Sequence, residues 1–84
     1  MNMYFVYILR CGDGTLYTGI TNDLERRLGE HRKGVGGRYT RSKTGIRLVY
    51  SESVASRSAA LKREAQIKNW RRAKKLNLVN NRAV

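Results

Sequence analysis

The chain has 84 residues, enough for one domain with a single small apolar core. Eighteen Lys and Arg against six Asp and Glu give a net charge of +12. The longest apolar run, residues 4–9, is far below the roughly 20 residues that span a bilayer, and one cysteine excludes an internal disulfide framework. These features predict a cytoplasmic protein (nucleoid-associated in a bacterium) that binds a polyanion, most commonly nucleic acid. A basic ribosome- or RNA-associated factor fits the charge equally well.

Two strands are predicted at the start of the chain. Residues 3–10 are rich in aromatic and β-branched types, which favour strands, and residues 15–20 continue the pattern. The glycines and aspartate of residues 12–14 indicate a turn between them. The two segments therefore predict a β-hairpin.

The apolar pattern also predicts a register for this hairpin. Reflection about the first glycine of the turn pairs Ile8 with Leu16 on the core face. The same register places Tyr7 directly opposite Tyr17 on the other face. Gly19 lies on the tyrosine face, where its missing side chain is expected to leave space for a ligand.

A helix is predicted over residues 23–33. Asn22 is a good N-cap, and Glu25 three residues later resembles a capping box. Arg27 and His31 are four residues apart and therefore share a stripe of the helix surface.

The remaining elements complete an α/β fold. A glycine-rich basic loop is expected over residues 34–44 and a third strand over residues 47–52. Ser56 or Ser58 caps a helix over residues 58–70, and a short basic helix follows over residues 71–78. The prediction is a three-stranded antiparallel sheet flanked by helices, in the order β-β-α-β-α-α, within a single domain of residues 1–84.

One carboxylate falls on an apolar stripe. In the helix over residues 58–70 the inward stripe contains Ala60, Glu64 and Ile67. Burying a carboxylate is costly unless it is paired or bound to a cation. Glu64 therefore pairs with Arg63 or Lys68, or it binds a metal ion such as Mg²⁺ whose shell is completed by water and phosphate.

Four short motifs resemble those of the GIY-YIG nuclease superfamily, in the same order and at compatible spacing. Residues 5–7 (FVY) and 17–19 (YTG) look like the paired signature that names the family. Residues 22–28 (NDLERRL) resemble the helix with an essential arginine, and residues 60–64 (ALKRE) resemble the helix with the metal-binding glutamate. The similarity covers nearly the whole chain. It is greatest to the small stand-alone branch, including YhbQ-like proteins and the catalytic domain of eukaryotic structure-specific resolvase subunits.

The resemblance implies a metal-dependent endonuclease that hydrolyses DNA phosphodiester bonds. Glu64 would hold a single Mg²⁺ or Mn²⁺ ion. Tyr7 is the first candidate for the general base, with Tyr17 as its hydrogen-bonding partner. A phenol has an ordinary pKa near 10, so this role needs positive charge nearby. Arg27 and His31 are expected to supply it, and Arg27 also to bind a phosphate oxygen.

Basic residues in the loop and in the last two helices are expected to follow a nucleic-acid backbone without reading sequence. The chain would then cut structure-selectively or with weak specificity, or be targeted by a partner protein, and its substrate would be DNA or RNA. A non-catalytic nucleic-acid-binding module with the same fold is the alternative. Trp70 is expected to anchor the core between the last helices. The predicted backbone contacts include Arg38, Arg41, Lys43, Lys62, Arg63, Lys68, Arg71 and Arg72.

Overall fold

The computed structural model describes residues 3–36 and 43–81, which form three strands and three helices. The predicted fold class and element order are confirmed. Two of the predicted nucleic-acid contacts, Arg38 and Arg41, lie outside the described residues. The elements are β1 (Tyr4–Arg10), β2 (Leu16–Thr21), α1 (Leu24–Arg32), β3 (Arg47–Val54), α2 (Arg57–Lys68) and α3 (Arg72–Asn81).

Strand β1 is the centre of the antiparallel sheet, whose order is β2-β1-β3. Its four middle residues, 6–9, are all buried, because both faces of the sheet are covered. Val6 and Ile8 pack against α2 and α3 on one face. Tyr7 and Leu9 belong to a second apolar cluster that includes residues of α1 on the other face. Burial on both faces explains why this strand is a continuous apolar run and not an alternating one.

The predicted hairpin register is wrong by two residues. Tyr7 lies opposite Gly19, and Tyr17 lies opposite Leu9, two pairs nearer the turn. The turn is centred on Asp13, whose carboxylate accepts hydrogen bonds from the backbone and hydroxyl of Thr15 at 3.1 and 2.7 Å. Side chains alternate with a period of two, so a slip of two residues leaves each one on its predicted face. The tyrosine face therefore has the predicted members in a different arrangement.

The helix starts differ slightly from the predicted ones. Helix α1 is capped by Asp23 and not by Asn22, and the Asp23 side chain accepts a hydrogen bond from the backbone amide of Arg26 at 3.1 Å. Helix α2 is capped by Ser56, one of the two predicted serines. Trp70 lies between α2 and α3 and packs against the core, as predicted.

Candidate active site

A tyrosine and a histidine are paired in the interior on the α1 side of the sheet. Tyr7 comes from the central strand and is 2% exposed, and His31 comes from the last turn of α1 and is fully buried. The Tyr7 Oη and His31 Nε2 atoms share a hydrogen bond of 2.9 Å, and the imidazole tautomer determines which of them donates. The Tyr7 hydroxyl is thus bonded to His31, a partner that the sequence did not predict.

Two glycines fit closely around this pair. A Cβ atom at Gly19 would lie 2.6 Å from the Tyr7 hydroxyl, and one at Gly36 would lie 2.6 Å from the backbone nitrogen of His31. Both distances are far below van der Waals contact. The space at Gly19 is therefore filled by the Tyr7 phenol, whereas the sequence predicted space for a ligand. The role of Gly36 was not predicted, because nothing distinguishes it from the neighbouring glycines of the loop.

Tyr17 completes a cluster of three rings. Its ring centroid is 6.3 Å from that of Tyr7 and 5.1 Å from that of His31, in a tilted and an edge-on arrangement respectively. Tyr17 is half-buried, so it is the more accessible of the two phenols. The two signature tyrosines and the helix histidine, separated in sequence, are brought together.

The electrostatics of the pair differ from the prediction. Burial raises the pKa of Tyr7 to about 12, although a hydrogen bond with the Arg27 side chain acts in the opposite direction. Burial, and then the charge of Arg27, lower the pKa of His31 below its ordinary 6.5. At neutral pH the cluster therefore contains an un-ionised phenol and a neutral imidazole. The expectation that His31 supplies positive charge is wrong, and Arg27 is the cation of this cluster.

Arg27 joins the ring cluster to the protein surface. Its side chain is 30% exposed, and its Nη1 atom donates to Glu30 Oε1 at 3.0 Å. The neighbouring Arg26 pairs with Asp23 and also contacts Glu30. One side of the Arg27 guanidinium thus interacts with Tyr7, and part of it remains accessible to a phosphate.

Glu64 follows its predicted placement on α2. It is in line with Ala60 and Ile67, which are fully buried, and its own side chain is only 19% exposed. Its carboxylate forms an ion pair of 3.4 Å with Lys68, one of the two predicted partners. Its charge also contributes to the raised pKa of Tyr7, after burial and the charge of Tyr17, so the two groups interact electrostatically.

The donor chemistry at Glu64 suits a hard divalent cation. A partly buried carboxylate offers the oxygen ligand that Mg²⁺ prefers, and this ion keeps several waters of its own. Among residues 3–36 and 43–81 no three His, Cys, Asp or Glu side chains gather in one place. The residues therefore fit an ion held jointly with water and substrate, and they do not fit a protein-only metal cage.

The described basic residues differ in how strongly intramolecular contacts hold them. Lys43 contacts Asp13 at 2.6 Å, and Arg63 forms two hydrogen bonds with Glu52, so both are held by intramolecular ion pairs. Arg63 was predicted as a backbone contact, but its guanidinium is already occupied. The exposed basic residues on and between the last two helices include Lys62, Lys68, Arg71 and Arg72. Of these, Lys68 pairs with Glu64, and Arg72 donates a hydrogen bond to the carbonyl oxygen of Gly14 at 2.8 Å.

The lowered pKa of His31 predicts a pH dependence of stability. The unfolded chain takes up a proton near pH 6.5, whereas the folded chain does so only at lower pH. The free energy of unfolding should therefore fall as the pH falls from 6.5 toward the folded pKa. The pKa of Glu30 is also lowered by folding, but this residue changes the stability only as the pH falls below its ordinary pKa of 4.5. Urea unfolding at pH 7.5 and at pH 5.5 gives the change in the free energy of unfolding between the two pH values. This change should be smaller in His31→Gln than in the wild type. Equal differences in the two proteins would contradict this origin.

The described site combines one tyrosine on the central strand of a three-stranded sheet, a second on the neighbouring hairpin strand, and an arginine and a histidine on the next helix. Comparison with known proteins identifies the family to which this fold belongs. The family model described as the GIY-YIG catalytic domain matches residues 3–77, and the chain belongs to this family of nucleases.

Within the family the chain groups with the UPF0213 proteins. Those of Staphylococcus aureus strains Mu50 and N315 are 45% identical over 82 residues, 98% of this chain and all of theirs. A solution NMR structure of a UPF0213 protein from Bacillus halodurans has a TM-score of 0.62 and 40% identity, covering 95% of this chain and 85% of that one. A solution NMR structure of a protein from E. faecalis also has a TM-score of 0.62 and is 37% identical, covering 89% of this chain and 80% of that one. In the described part of the chain, no helix has the length and apolar character needed to span a membrane.

Proposed function

We propose that this chain is a divalent-metal-dependent endonuclease that hydrolyses phosphodiester bonds in DNA. The observation that carries the proposal is the convergence of Tyr7, Tyr17, His31 and Arg27 in one cluster. A binding module needs a basic surface, but it has no need of a buried phenol bonded to a neutral imidazole beside an arginine. Hydrolysis needs proton transfer and charge neutralisation at one place, and this cluster offers groups for both.

Arg27 has the accessible charge for binding the reacting phosphate. Its planar guanidinium can donate two parallel hydrogen bonds to phosphoryl oxygens. Negative charge builds on these oxygens during attack, and a fixed cation stabilises the transition state more than the ground state. Glu30 holds the guanidinium at 3.0 Å and so limits its freedom before the substrate arrives.

Tyr7 and His31 form the proposed path for the proton of the attacking water. Because the pKa of Tyr7 is raised to about 12, its phenol is protonated in the free protein at neutral pH and is not a phenolate. The phenol therefore acts as a relay: its oxygen takes a proton from the water while its own proton passes to His31 Nε2. The water oxygen then bonds to phosphorus, the bond to the leaving oxygen breaks, and that oxygen takes a proton from solvent. Because Tyr7 is 2% exposed, substrate binding must open a path to its hydroxyl.

Glu64 would hold the Mg²⁺ or Mn²⁺ ion on which nucleases of this family generally depend. When bound, such an ion neutralises charge on the phosphoryl and leaving oxygens. The contribution of the chain is a carboxylate that is 19% exposed and held by Lys68 at 3.4 Å. Lys68 would give up this contact or share the carboxylate with the ion.

The exposed cations of α2 and α3 would contact the backbone of the substrate. Contacts to phosphates fix position and orientation but carry no sequence information. We therefore propose structure-selective or weakly sequence-specific cutting.

The test is an incubation of the purified protein with branched, single-stranded and duplex DNA and with an RNA hairpin. Each is tested with Mg²⁺, with Mn²⁺ and with a chelator. We expect cutting of at least one DNA that requires metal and stops on chelation. Binding of every nucleic acid with no cutting under any condition would contradict the proposal and favour the non-catalytic binding module. Cutting of the RNA alone would reassign the substrate.

A further inference from the structure

A depression lined by three arginines lies beside the candidate active site. It is formed where β1 begins, β2 ends and both α1 and α2 begin. Its lining residues include Arg26, Arg27 and Arg57, together with Tyr4 and Asn22. No carboxylate belongs to the lining. Arg27 is shared with the ring cluster, so the depression and the candidate active site are adjacent.

The charges around the depression leave one cation uncompensated. Glu30 pairs with both Arg26 and Arg27, and Asp23 pairs with Arg26. All six carboxylate side chains of the protein lie in the described residues, and none is within ion-pair distance of Arg57. Three guanidinium groups against two carboxylates leave a net charge of +1 here.

The position of Arg57 makes its charge unfavourable in the free protein. It is the first residue of α2, whose first turn contains no acidic residue. The positive end of a helix dipole destabilises a cation and stabilises an anion at this position. An anion in the depression would therefore interact favourably with Arg57 and with the start of α2 together. Asn22 adds a neutral donor, because its Oδ1 atom accepts from Arg26 at 3.4 Å and leaves its amide nitrogen to donate.

Arg57 and Glu64 are also related by the geometry of α2. They are seven residues apart, which is about two turns, so they share a face and are separated by about 10 Å along the helix axis. Successive phosphates of one strand are about 3.4 Å apart along a duplex axis. Because Arg27 and Arg57 line the same depression, a strand whose reacting phosphate lies at Arg27 would bring a flanking phosphate within reach of Arg57.

We propose that this depression is a subsite for a flanking phosphate of the substrate strand, with Arg57 as its principal cation. The inference rests on the proposed function for the nature of the ligand, a nucleic-acid strand. The subsite would fix the direction and register of the strand relative to Tyr7 and Glu64. It binds the backbone and not a base, so it positions the strand without reading sequence.

The test measures how affinity grows with the number of phosphates, in the absence of cutting. Thymidine oligonucleotides of two, three and four residues contain one, two and three phosphodiesters. They are titrated by NMR, with chelator present, into the wild type, Arg57→Gln and Arg47→Gln. Arg47 is the matched control: it is also an exposed arginine and the first residue of its element, β3, and it pairs with the far end of β1.

We expect the wild type and Arg47→Gln to bind the longer oligonucleotides about three- to tenfold more tightly than the shortest at low salt. Arg57→Gln should bind the shortest one normally and lose this gain. The Arg57 Nε–H resonance should shift only with the longer oligonucleotides. A gain that survives in Arg57→Gln would overturn the subsite. Because no cutting is required, a protein that shows the Arg57-dependent gain but never cuts would contradict the proposed function and leave the subsite standing.

Discussion

Replacement of Tyr7 by phenylalanine should lower the rate of DNA cutting by about 10²-fold or more, the usual contribution of a positioned proton-transfer group. The substitution keeps the ring that packs against Gly19 and removes only the hydroxyl that is 2.9 Å from His31 Nε2. DNA affinity should stay near that of the wild type, because Arg27 and the basic helices are unchanged. Single-turnover cutting and binding anisotropy, measured on the same DNA, separate the two effects.

Tyr50→Phe is the matched control for this substitution. Tyr50 is also a buried tyrosine of the sheet, but it belongs to the opposite apolar cluster and its hydroxyl donates to Glu52. Its removal should leave cutting unchanged. Loss of the Tyr7 hydroxyl removes one hydrogen bond of the buried His31, which typically costs about 1–3 kcal/mol of stability, so cutting is compared well below the unfolding temperature. If Tyr17→Phe abolishes cutting and Tyr7→Phe does not, the relay is wrongly assigned and the more accessible phenol is the base.

The sequence was sufficient to predict the secondary-structure elements and the face of the hairpin on which each side chain lies. Residues 4–9 and 16–21 show strand composition on either side of a turn, and their periodicity assigns Tyr7, Tyr17 and Gly19 to one face. That assignment survived a wrong register because the error was an even number of residues. The register itself depends on the hydrogen bonds that centre the turn on Asp13, and apolar patterning does not encode them.

The charge state of the site was not predictable from spacing. A histidine in the last turn of a helix is ordinarily interpreted as a favourable exposed cation. His31 is instead buried, because Tyr7 arrives from the sheet and Gly36 closes over the backbone, and neither contact is visible in the helix pattern. Burial then lowers its pKa and raises that of Tyr7.

The ion pairs between residues distant in sequence could not be predicted either. Lys43 pairs with Asp13, 30 residues earlier, and Arg63 pairs with Glu52 on a different element. Helix spacing predicts partners only three or four residues away, such as Glu64 with Lys68. Whether Arg57 has an ion-pair partner depends on the positions of all the carboxylates in the fold. The residues next to Arg57 in sequence do not distinguish it from the other basic residues.

Replacement of Glu64 by glutamine should lower metal-dependent cutting by at least about 10³-fold, because a divalent ion contributes several kcal/mol of transition-state stabilisation. Glutamine has nearly the same shape, so the line of Ala60 and Ile67 should stay packed. DNA binding should be equal or tighter, since the change removes a negative charge from a surface that binds phosphates. Cutting rates over a series of Mn²⁺ concentrations, with binding measured in chelator, test both parts.

Glu25→Gln makes the same change of net charge at an exposed position in the first turn of α1 and should leave cutting unchanged. Paramagnetic Mn²⁺ gives a second readout that does not depend on activity. In the wild type and in Glu25→Gln, with the trinucleotide present, it should broaden the amide resonances of α2 around Glu64, and this broadening should be absent in Glu64→Gln. Cutting by Glu64→Gln at the rate of Glu25→Gln, or broadening that persists without the carboxylate, would place the ion elsewhere. The 3.4 Å contact with Lys68 would then be the whole role of Glu64 in the fold.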